Sequence, residues 1–265
     1  MQRFYKYQGA GNDFIIFDNR LRFFNADDHA LVARLCDRHF GIGADGLMLL
    51  EERAGYDFQM VYFNADGRQG SMCGNGGRCM VAFAHRLGLF DEETRFIASD
   101  GEHTAILSPD DGMVKLKMID SDTVQRDGEA YVLDTGSPHY VLMVADLENY
   151  PVFARGREIR YSERYAEQGI NVNFVQSLSG GGYAIRTYER GVENETLACG
   201  TGATGAAMAM AIHEGLEGRI RIPMKASGGD LSIYFHKDGT HFTDVHLEGP
   251  ATPVFEGVID FDKLT

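Results

Sequence analysis

The chain has 265 residues, 44% hydrophobic and 24% charged, which is enough apolar material for one large domain or two of ordinary size. Its formal net charge of -14 argues against a nucleic acid or an anionic membrane as partner, because both would repel it. The four cysteines are too scattered for a disulfide scaffold, and no signal-peptide pattern or long apolar run is present. We therefore expect a cytoplasmic protein with reduced thiols.

Short stretches in which apolar and polar residues alternate predict a chain rich in half-buried strands. In chain order, the predicted strands cover residues 3–8, 13–18, 57–63, 94–99, 102–108, 114–118, 130–135, 139–145, 183–189, 219–222, 230–235 and 254–261. The dipeptides Asp111-Gly112 and Asp238-Gly239 lie between such stretches and predict hairpin turns.

Helical spacing of apolar residues occurs in fewer places. It predicts an amphipathic helix over residues 75–87 and a helix that is apolar almost all round, and therefore buried, over 200–213. A third helix is predicted over residues 27–39. Many strands with few helices indicate an α+β fold.

The sequence also contains a short internal repeat. The motif Cys-Gly-Asn-Gly-Gly at 73–77 returns as Cys-Gly-Thr-Gly-Ala at 199–203, 126 positions later, and the same offset relates Tyr62 to Tyr188. We interpret this as two homologous lobes joined by a linker near residues 118–128. The N-terminal lobe would cover residues 1–118, with a C-terminal strand in about 252–265 returning to it, and the C-terminal lobe would cover 119–251.

The repeated motif has a definite chemical use. A cysteine just before a glycine-rich turn that opens a helix lies at the positive end of the helix dipole, where backbone N–H groups favour the thiolate. The same turn can bind a carboxylate. Two such turns facing each other would invert one carbon centre without a cofactor, so Cys73 and Cys199 are predicted to be catalytic. Cys36 and Cys79 lie in predicted helices and are interpreted as buried apolar side chains.

Two other classes of protein stay open at this point. A nucleotide-binding oxidoreductase would use the glycines of 200–205 as a dinucleotide fingerprint with Glu217 as its acidic partner, but the polar loop 190–196 separates them from the preceding strand. A non-catalytic binding module is the other possibility. The cysteine and histidine spacings do not favour a metal site.

The chain resembles the diaminopimelate epimerase family in motifs that extend from residue 9 to residue 231. These are Gly9-Ala10-Gly11-Asn12-Asp13-Phe14, Phe63-Asn64-Ala65-Asp66-Gly67, Cys73-Gly74-Asn75-Gly76-Gly77-Arg78-Cys79, Glu189-Arg190-Gly191 followed by Glu195-Thr196-Leu197-Ala198-Cys199-Gly200-Thr201-Gly202, and Gly228-Gly229-Asp230-Leu231. The resemblance implies two pseudo-symmetric lobes, each a mostly antiparallel sheet wrapped around a central helix, with the active site in the cleft between them.

The resemblance further implies an isomerase that interconverts LL- and meso-diaminopimelate by a two-base mechanism. This enzyme would need neither pyridoxal phosphate nor any other cofactor or metal, would serve lysine and peptidoglycan precursor biosynthesis, and would be a homodimer. Its partner is a small-molecule substrate.

The resemblance also assigns roles to individual residues. Cys73 and Cys199 become the two acid/base groups, and His139 and Glu189 would tune them, since an imidazolium lowers and a carboxylate raises the pKa of a nearby thiol. The substrate-binding residues it implies are Asn12, Asn64, Gly74, Asn75, Asn171, Glu189, Arg190, Gly200 and Thr201. Among these, the backbone N–H groups at the two helix starts would hold the reacting carboxylate, and Arg190 the distal one.

Two positions depart from the family pattern. Gly46 stands where some members have glutamine, and Ser137 replaces the asparagine of the family's Gly-Asn-Pro-His motif. Because serine lacks an amide donor, we expect it to contribute less than asparagine to recognising the distal end of the substrate. Proline and hydroxyproline racemases share the two-cysteine chemistry, and a phenazine-pathway isomerase shares the fold without that pair. The motifs around Asn64, Asn171 and Arg190 favour the two-headed substrate.

Overall fold

The computed structural model describes residues 1–70 and 72–264 and shows a mixed α+β fold dominated by strands, as predicted. The elements of its first half are β1 (Gln2–Gly9), β2 (Asn12–Asp18), α1 (His29–Cys36), β3 (Gly46–Glu51), β4 (Phe58–Asn64), α2 (Gly74–Arg86), β5 (Glu93–Ala98), β6 (Gly101–Leu107) and β7 (Met113–Lys117).

The second half continues in the same way. Its elements are β8 (Val124–Asp127), β9 (Ala130–Asp134), β10 (Pro138–Met143), α3 (Val152–Arg160), β11 (Asn171–Ser177), β12 (Tyr183–Glu189), β13 (Asn194–Thr196), α4 (Gly200–His213), β14 (Gly218–Ala226), β15 (Gly229–Asp238), β16 (His241–Pro250) and β17 (Thr252–Ile259), followed by a short 3-10 turn, Phe261–Lys263. In the described part of the chain, no helix is both long and apolar enough to cross a bilayer.

The chain divides into two compact units. One contains residues 1–116 and the segment that begins at 250, and the other contains residues 117–249. In the first unit the strands pair in the order β17–β1–β2–β3–β4–β5–β6–β7. The pairs β2–β3 and β4–β5 are parallel, and the other pairs in this order are antiparallel. Each parallel pair is joined by a crossover helix, α1 or α2, as parallel connections require.

The second unit repeats this order of pairings. Its strands follow β8–β9–β10–β11–β12–β14–β15–β16, with β10–β11 and β12–β14 parallel. Helices α3 and α4 are the corresponding crossovers, and β13 adds a short antiparallel strand beside β12. The internal repeat predicted from the cysteine motifs is therefore confirmed by the topology of each unit.

In each unit one helix packs against most of the sheet. Helix α2 contacts β1, β2, β3, β4 and β6, and helix α4 contacts β9 to β12, β14 and β15. Helix α4 is made almost entirely of glycine, alanine, threonine and methionine, and its middle turns are fully buried. Its small side chains allow the strands to lie close to it. Because the helix is buried on nearly all its faces, it is apolar almost all round.

The predicted strands and both long helices are confirmed, and so are the two hairpin turns, whose Gly112 and Gly239 have positive φ. Helix α1 is shorter than predicted because Asp28 caps its start by accepting the Leu31 N–H, and Asp37 is extended at its end. Residues 124–127, in the segment expected to join the lobes, form strand β8.

The elements missed from the sequence are β3, β8, β11, β13, β16 and α3. Strand β3 is buried at every residue, so it shows a continuous apolar run in place of alternation. Helix α3 contains Gly156, a poor helix former, whose α-carbon lies so close to Tyr188 that an added Cβ would be 2.3 Å from the Cβ of that tyrosine.

Candidate active site

Cys73 is the residue at which the chain turns into helix α2. Its backbone is extended, with φ -97° and ψ 129°, and the glycines that follow form the first buried turn of the helix. The N–H groups of this turn have no acceptor within the helix, and they carry the positive end of its dipole. A negatively charged sulfur or carboxylate is favoured at this place.

The side chain of Asn12 lies beside the Cys73 thiol. Its Oδ1 is 3.6 Å from Cys73 Sγ and accepts a 3.4 Å hydrogen bond from Asn75 Nδ2. Its Nδ2 donates to Asp45 Oδ2 at 2.7 Å. Because the amide has a donor on one side and an acceptor on the other, its carbonyl oxygen is held towards the sulfur.

A network of charged side chains holds Asp45, the acceptor of the Asn12 amide. The carboxylate of Asp13 lies 2.7 Å from the Nζ of Lys6, whose side chain is only 7% exposed, and 2.7 Å from Arg38 Nη2. The same guanidinium also contacts Asp45 at 2.8 Å. Burial by itself would raise the pKa of Asp13, but the hydrogen bonds from Arg38 and Lys6 outweigh it and lower this pKa to about 2.

Cys199 occupies the corresponding place at the start of helix α4. Its Sγ accepts a hydrogen bond from the Gly202 N–H at 3.4 Å and lies 3.5 Å from the Thr201 hydroxyl. A hydrogen bond from a backbone N–H favours a thiolate over a thiol. The Thr201 carbonyl accepts a 2.9 Å bond from the Thr135 hydroxyl, which fixes the first turn of the helix.

His139 lies fully buried under helix α4, in a network of polar side chains. Its Nδ1 is 3.1 Å from Asn173 Nδ2, and the Oδ1 of that asparagine accepts a 2.9 Å hydrogen bond from the Thr187 hydroxyl. Burial, assisted by the charge of Arg190, lowers the pKa of His139 to about 3. The ring is therefore neutral at physiological pH, so the effect that an imidazolium has on a nearby thiol does not apply to His139 here.

The polar contacts of Asn171 join three parts of the second unit. Its Nδ2 donates to the Ser137 hydroxyl at 2.8 Å, and its Oδ1 accepts the Arg190 N–H at 2.9 Å. The guanidinium of Arg190 reaches the carbonyl of Gln168 at 2.9 Å and the Ser137 hydroxyl at 3.4 Å. Ser137, the departure from the family motif, thus bridges two of the residues assigned to substrate binding.

The remaining predicted residues have different surroundings. Glu189 accepts a 2.9 Å hydrogen bond from the Thr196 hydroxyl. Asn64 ends β4 and is exposed. Cys36 and Cys79 are buried, as predicted. Burial raises the pKa of each thiol to about 12, so both stay protonated.

Gly46 is required by its neighbours in this chain. A Cβ at this position would lie 2.6 Å from the Tyr62 ring and 2.7 Å from the Phe63 carbonyl oxygen. The glutamine that some family members carry would not fit here without moving strand β4. The glycine at position 46 is therefore required by the place of the Tyr62 ring in this chain.

Sequence reasoning missed Asp45, Asn173 and Thr187 as parts of the polar environment. Asn173 carried a usable signal, because it lies two residues from Asn171 in a buried strand and so points to the same face. Asp45 carried no comparable signal, since its role depends on contacts with residues distant in the chain. Each unit thus presents a cysteine at a helix start, supported by a polar network of its own.

Solved structures of low sequence similarity share this fold. A PhzF-family phenazine biosynthesis protein from Bacillus anthracis superposes with a TM-score of 0.76 over 97% of this chain and 99% of its own, at 13% identity. A hydroxyproline epimerase from Agrobacterium vitis gives a TM-score of 0.69 over 96% of this chain and 90% of its own, also at 13% identity. These likenesses establish the fold class to which the protein belongs.

Sequence comparisons are more specific. The family model for diaminopimelate epimerase matches residues 4–123 and 131–254. Proteins named diaminopimelate epimerase from Flavobacterium psychrophilum and Chlorobaculum tepidum are 49% and 42% identical, over 97% and 95% of this chain and 100% and 98% of their own. The chain therefore belongs to the diaminopimelate epimerase family and is an isomerase.

Proposed function

We propose that this protein interconverts LL- and meso-diaminopimelate by proton transfer between the substrate and two cysteines. The thiolate of one cysteine removes the proton from the α-carbon and becomes a thiol. The thiol of the other then delivers its proton to the opposite face and becomes a thiolate. The configuration of the carbon is inverted, and the two sulfur groups have exchanged roles, so that either direction can follow.

The observation that carries this proposal is the repeated placement of Cys73 and Cys199 at the starts of two buried, glycine-rich helices. The recorded contacts of the two sulfurs are complementary. Sγ of Cys199 accepts a backbone N–H, which suits a thiolate, whereas Sγ of Cys73 lies against the carbonyl oxygen of Asn12, which suits a thiol that donates its proton. One base and one acid are what the reaction requires.

The first-turn N–H groups complete the chemistry. Loss of the α-proton moves negative charge onto the neighbouring carboxylate, and the groups of Gly74, Asn75, Gly200 and Thr201 would donate to it. Arg190, fixed by Asn171 and Ser137, would pair with the carboxylate at the distal end of the substrate. Asn12, Asn64 and Glu189 would hold its remaining polar groups.

His139 and Glu189 would act on the sulfurs indirectly. Since His139 is neutral, we propose that it acts by fixing the packing under helix α4 and not by its charge. Independence of pyridoxal phosphate, the place in lysine and peptidoglycan precursor biosynthesis, the homodimer and the cytoplasmic location are part of the same proposal. They rest on membership of the family.

Incubation of the purified protein with LL-diaminopimelate in heavy water, without added cofactor, tests the proposal. We expect meso product with deuterium at the inverted α-carbon. Replacement of Cys73 or Cys199 by alanine should abolish turnover, whereas Cys36→Ala, which removes a buried thiol, should retain it. Full epimerisation by Cys199→Ala, or racemisation of proline in place of diaminopimelate, would refute the assignment.

A further inference from the structure

Arg78 is a charged side chain in the interior of the first unit that the proposed mechanism does not use. It lies in α2 and is 0% exposed. Its Nη2 donates to Asn75 Oδ1 at 2.9 Å, and its Nη1 donates to the Gly74 carbonyl at 3.3 Å. Among the described residues its Nε has no acceptor, and no carboxylate acts on its charge. Such a charge is costly to bury unless an anion compensates it.

The guanidinium of Arg78 is enclosed by neighbouring parts of the first unit. Gly9, at the end of β1, allows that strand to lie directly over the guanidinium, since a Cβ there would be 3.0 Å from the Asn75 carbonyl and 3.5 Å from Arg78 Nη2. Burial lowers the pKa of Arg78, and its electrostatic interactions with Cys79 and Cys73 oppose this. An arginine remains protonated even so, because its ordinary pKa is above 12.

A chain of hydrogen bonds connects this charge to the Cys73 sulfur. Arg78 donates to the side-chain oxygen Oδ1 of Asn75, which turns the side-chain amino group of Asn75 towards Asn12 Oδ1. Asn12 Oδ1 is the atom that contacts Cys73 Sγ. The anion that the proposed reaction creates at this helix start is the thiolate of Cys73, which is half-buried. Cys79, the other nearby thiol, is kept protonated because burial raises its pKa to about 12.

The internal repeat supplies a natural comparison. The position of Arg78 corresponds to Thr204, 126 residues later, which is also 0% exposed. The Thr204 hydroxyl donates to the Gly200 carbonyl at 2.9 Å, the bond equivalent to the one from Arg78 to Gly74. The two helix starts therefore share this hydrogen bond to the backbone and differ by one buried positive charge.

We propose that Arg78 is a positioning residue whose buried charge stabilises the thiolate of Cys73, a contribution that the uncharged Thr204 at the equivalent position of helix α4 does not make. It offsets the carbonyl oxygen of Asn12, which by itself favours the protonated thiol. Cys199 is served instead by the Gly202 N–H. The charge of Arg78 would stabilise the Cys73 thiolate and the Gly202 N–H would stabilise the Cys199 thiolate, so each sulfur can carry the negative charge in turn. This inference rests on the proposed function, because a stabilised thiolate is useful only if Cys73 acts as a base.

The other charged or titratable groups on elements that pack against α2 have partners of their own. Lys6 of β1 and Asp13 of β2 pair with each other, Tyr7 of β1 interacts with Arg86, His103 of β6 pairs with Asp100, and Asp45, just before β3, pairs with Arg38. They are present unchanged in every variant considered below, so a change in Cys73 acidity on replacing Arg78 reports the lost guanidinium.

The acidity of each catalytic thiol can be measured without any epimerase assay. The full chain is alkylated with iodoacetamide across a range of pH, and the labelling of Cys73 and of Cys199 is followed separately by peptide mass spectrometry. We expect Arg78→Gln to raise the pH midpoint of Cys73 labelling by about one unit or more, a tenfold loss of thiolate at lower pH, and to leave Cys199 unchanged. Thr204→Val, the matched control, should shift neither midpoint.

Unchanged Cys73 labelling in folded Arg78→Gln, or an equal shift at both cysteines, would overturn the inference. Arg78→Lys decides the matter if the glutamine variant does not fold, because lysine keeps the charge but not the forked contact with Asn75 and Gly74. Its Cys73 midpoint should stay within about half a unit of the wild type, and a rise of about one unit would contradict the charge effect. Full activity of Cys73→Ala would instead refute the proposed function, whatever the labelling shows.

Discussion

The carboxylate of Asp13 makes a pH-dependent contribution to stability that can be worked out from the structure. Its pKa is about 2 in the folded chain against 3.8 for an ordinary aspartate, and its side chain is only 18% exposed. With about 1.4 kcal/mol for each pKa unit, the folded state gains about 2 kcal/mol at neutral pH. Because folding lowers this pKa, the gain is complete above the unfolded value and is lost as the pH falls towards the folded value.

The substitution Asp13→Asn removes this contribution. We expect it to lower the free energy of unfolding by at least about 2 kcal/mol at pH 7, since it also leaves the buried ammonium of Lys6 without its carboxylate. The same substitution should cost about 1 kcal/mol less at pH 3, where the wild type has begun to lose the contribution. Urea unfolding followed by circular dichroism at the two pH values measures both differences.

Asp110→Asn serves as the matched control, because Asp110 is exposed in a turn and the same chemical change there should cost less than about 0.5 kcal/mol. A loss of stability in Asp13→Asn that is equal at pH 7 and pH 3 would refute the reasoning. So would a loss at pH 7 no larger than that of the control. Either result would mean that the ion pairs around Asp13 do not stabilise its charged form.

Three further substitutions probe the packing around the two helix starts. Gly202→Ala places a Cβ 2.4 Å from Asn173 Oδ1 and 3.2 Å from Cys199 Sγ, so we expect kcat to fall at least about tenfold through displacement of the sulfur. Gly46→Ala places a Cβ 2.6 Å from the Tyr62 ring and should cost about 1 to 3 kcal/mol in urea unfolding. Asn173→Ala removes the partner of the buried His139 ring nitrogen and the acceptor of the buried Thr187 hydroxyl. It should lower the free energy of unfolding by about 1 to 3 kcal/mol in the same assay.

For each of these three substitutions, one result would contradict the expectation. Undiminished kcat in Gly202→Ala would mean that the first turn of α4 tolerates a side chain without moving Cys199. Wild-type stability of Gly46→Ala would mean that the Tyr62 ring shifts freely. Wild-type stability of Asn173→Ala would mean that water replaces the lost partners under α4.

Much of this protein is determined by local sequence. Alternation gave the strands that are buried on one face, helical spacing gave α2 and α4, and the two Cys-Gly motifs indicated the internal repeat. These features depend on residues within a few positions of one another, so periodicity and turn chemistry are sufficient to find them. The family follows from motifs of the same kind.

Only the tertiary structure decided the rest. Strand β3 is buried on both faces and shows no alternation, and its place becomes evident only when β2 and β4 lie beside it. The neutral state of His139 and the low pKa of Asp13 depend on burial and on partners distant in the chain. The contrast between Arg78 and Thr204 can be seen in the repeat, but the complete burial of the arginine becomes evident only in the folded chain. Burial sets the free energy of a charge, and burial is a property of the assembled fold.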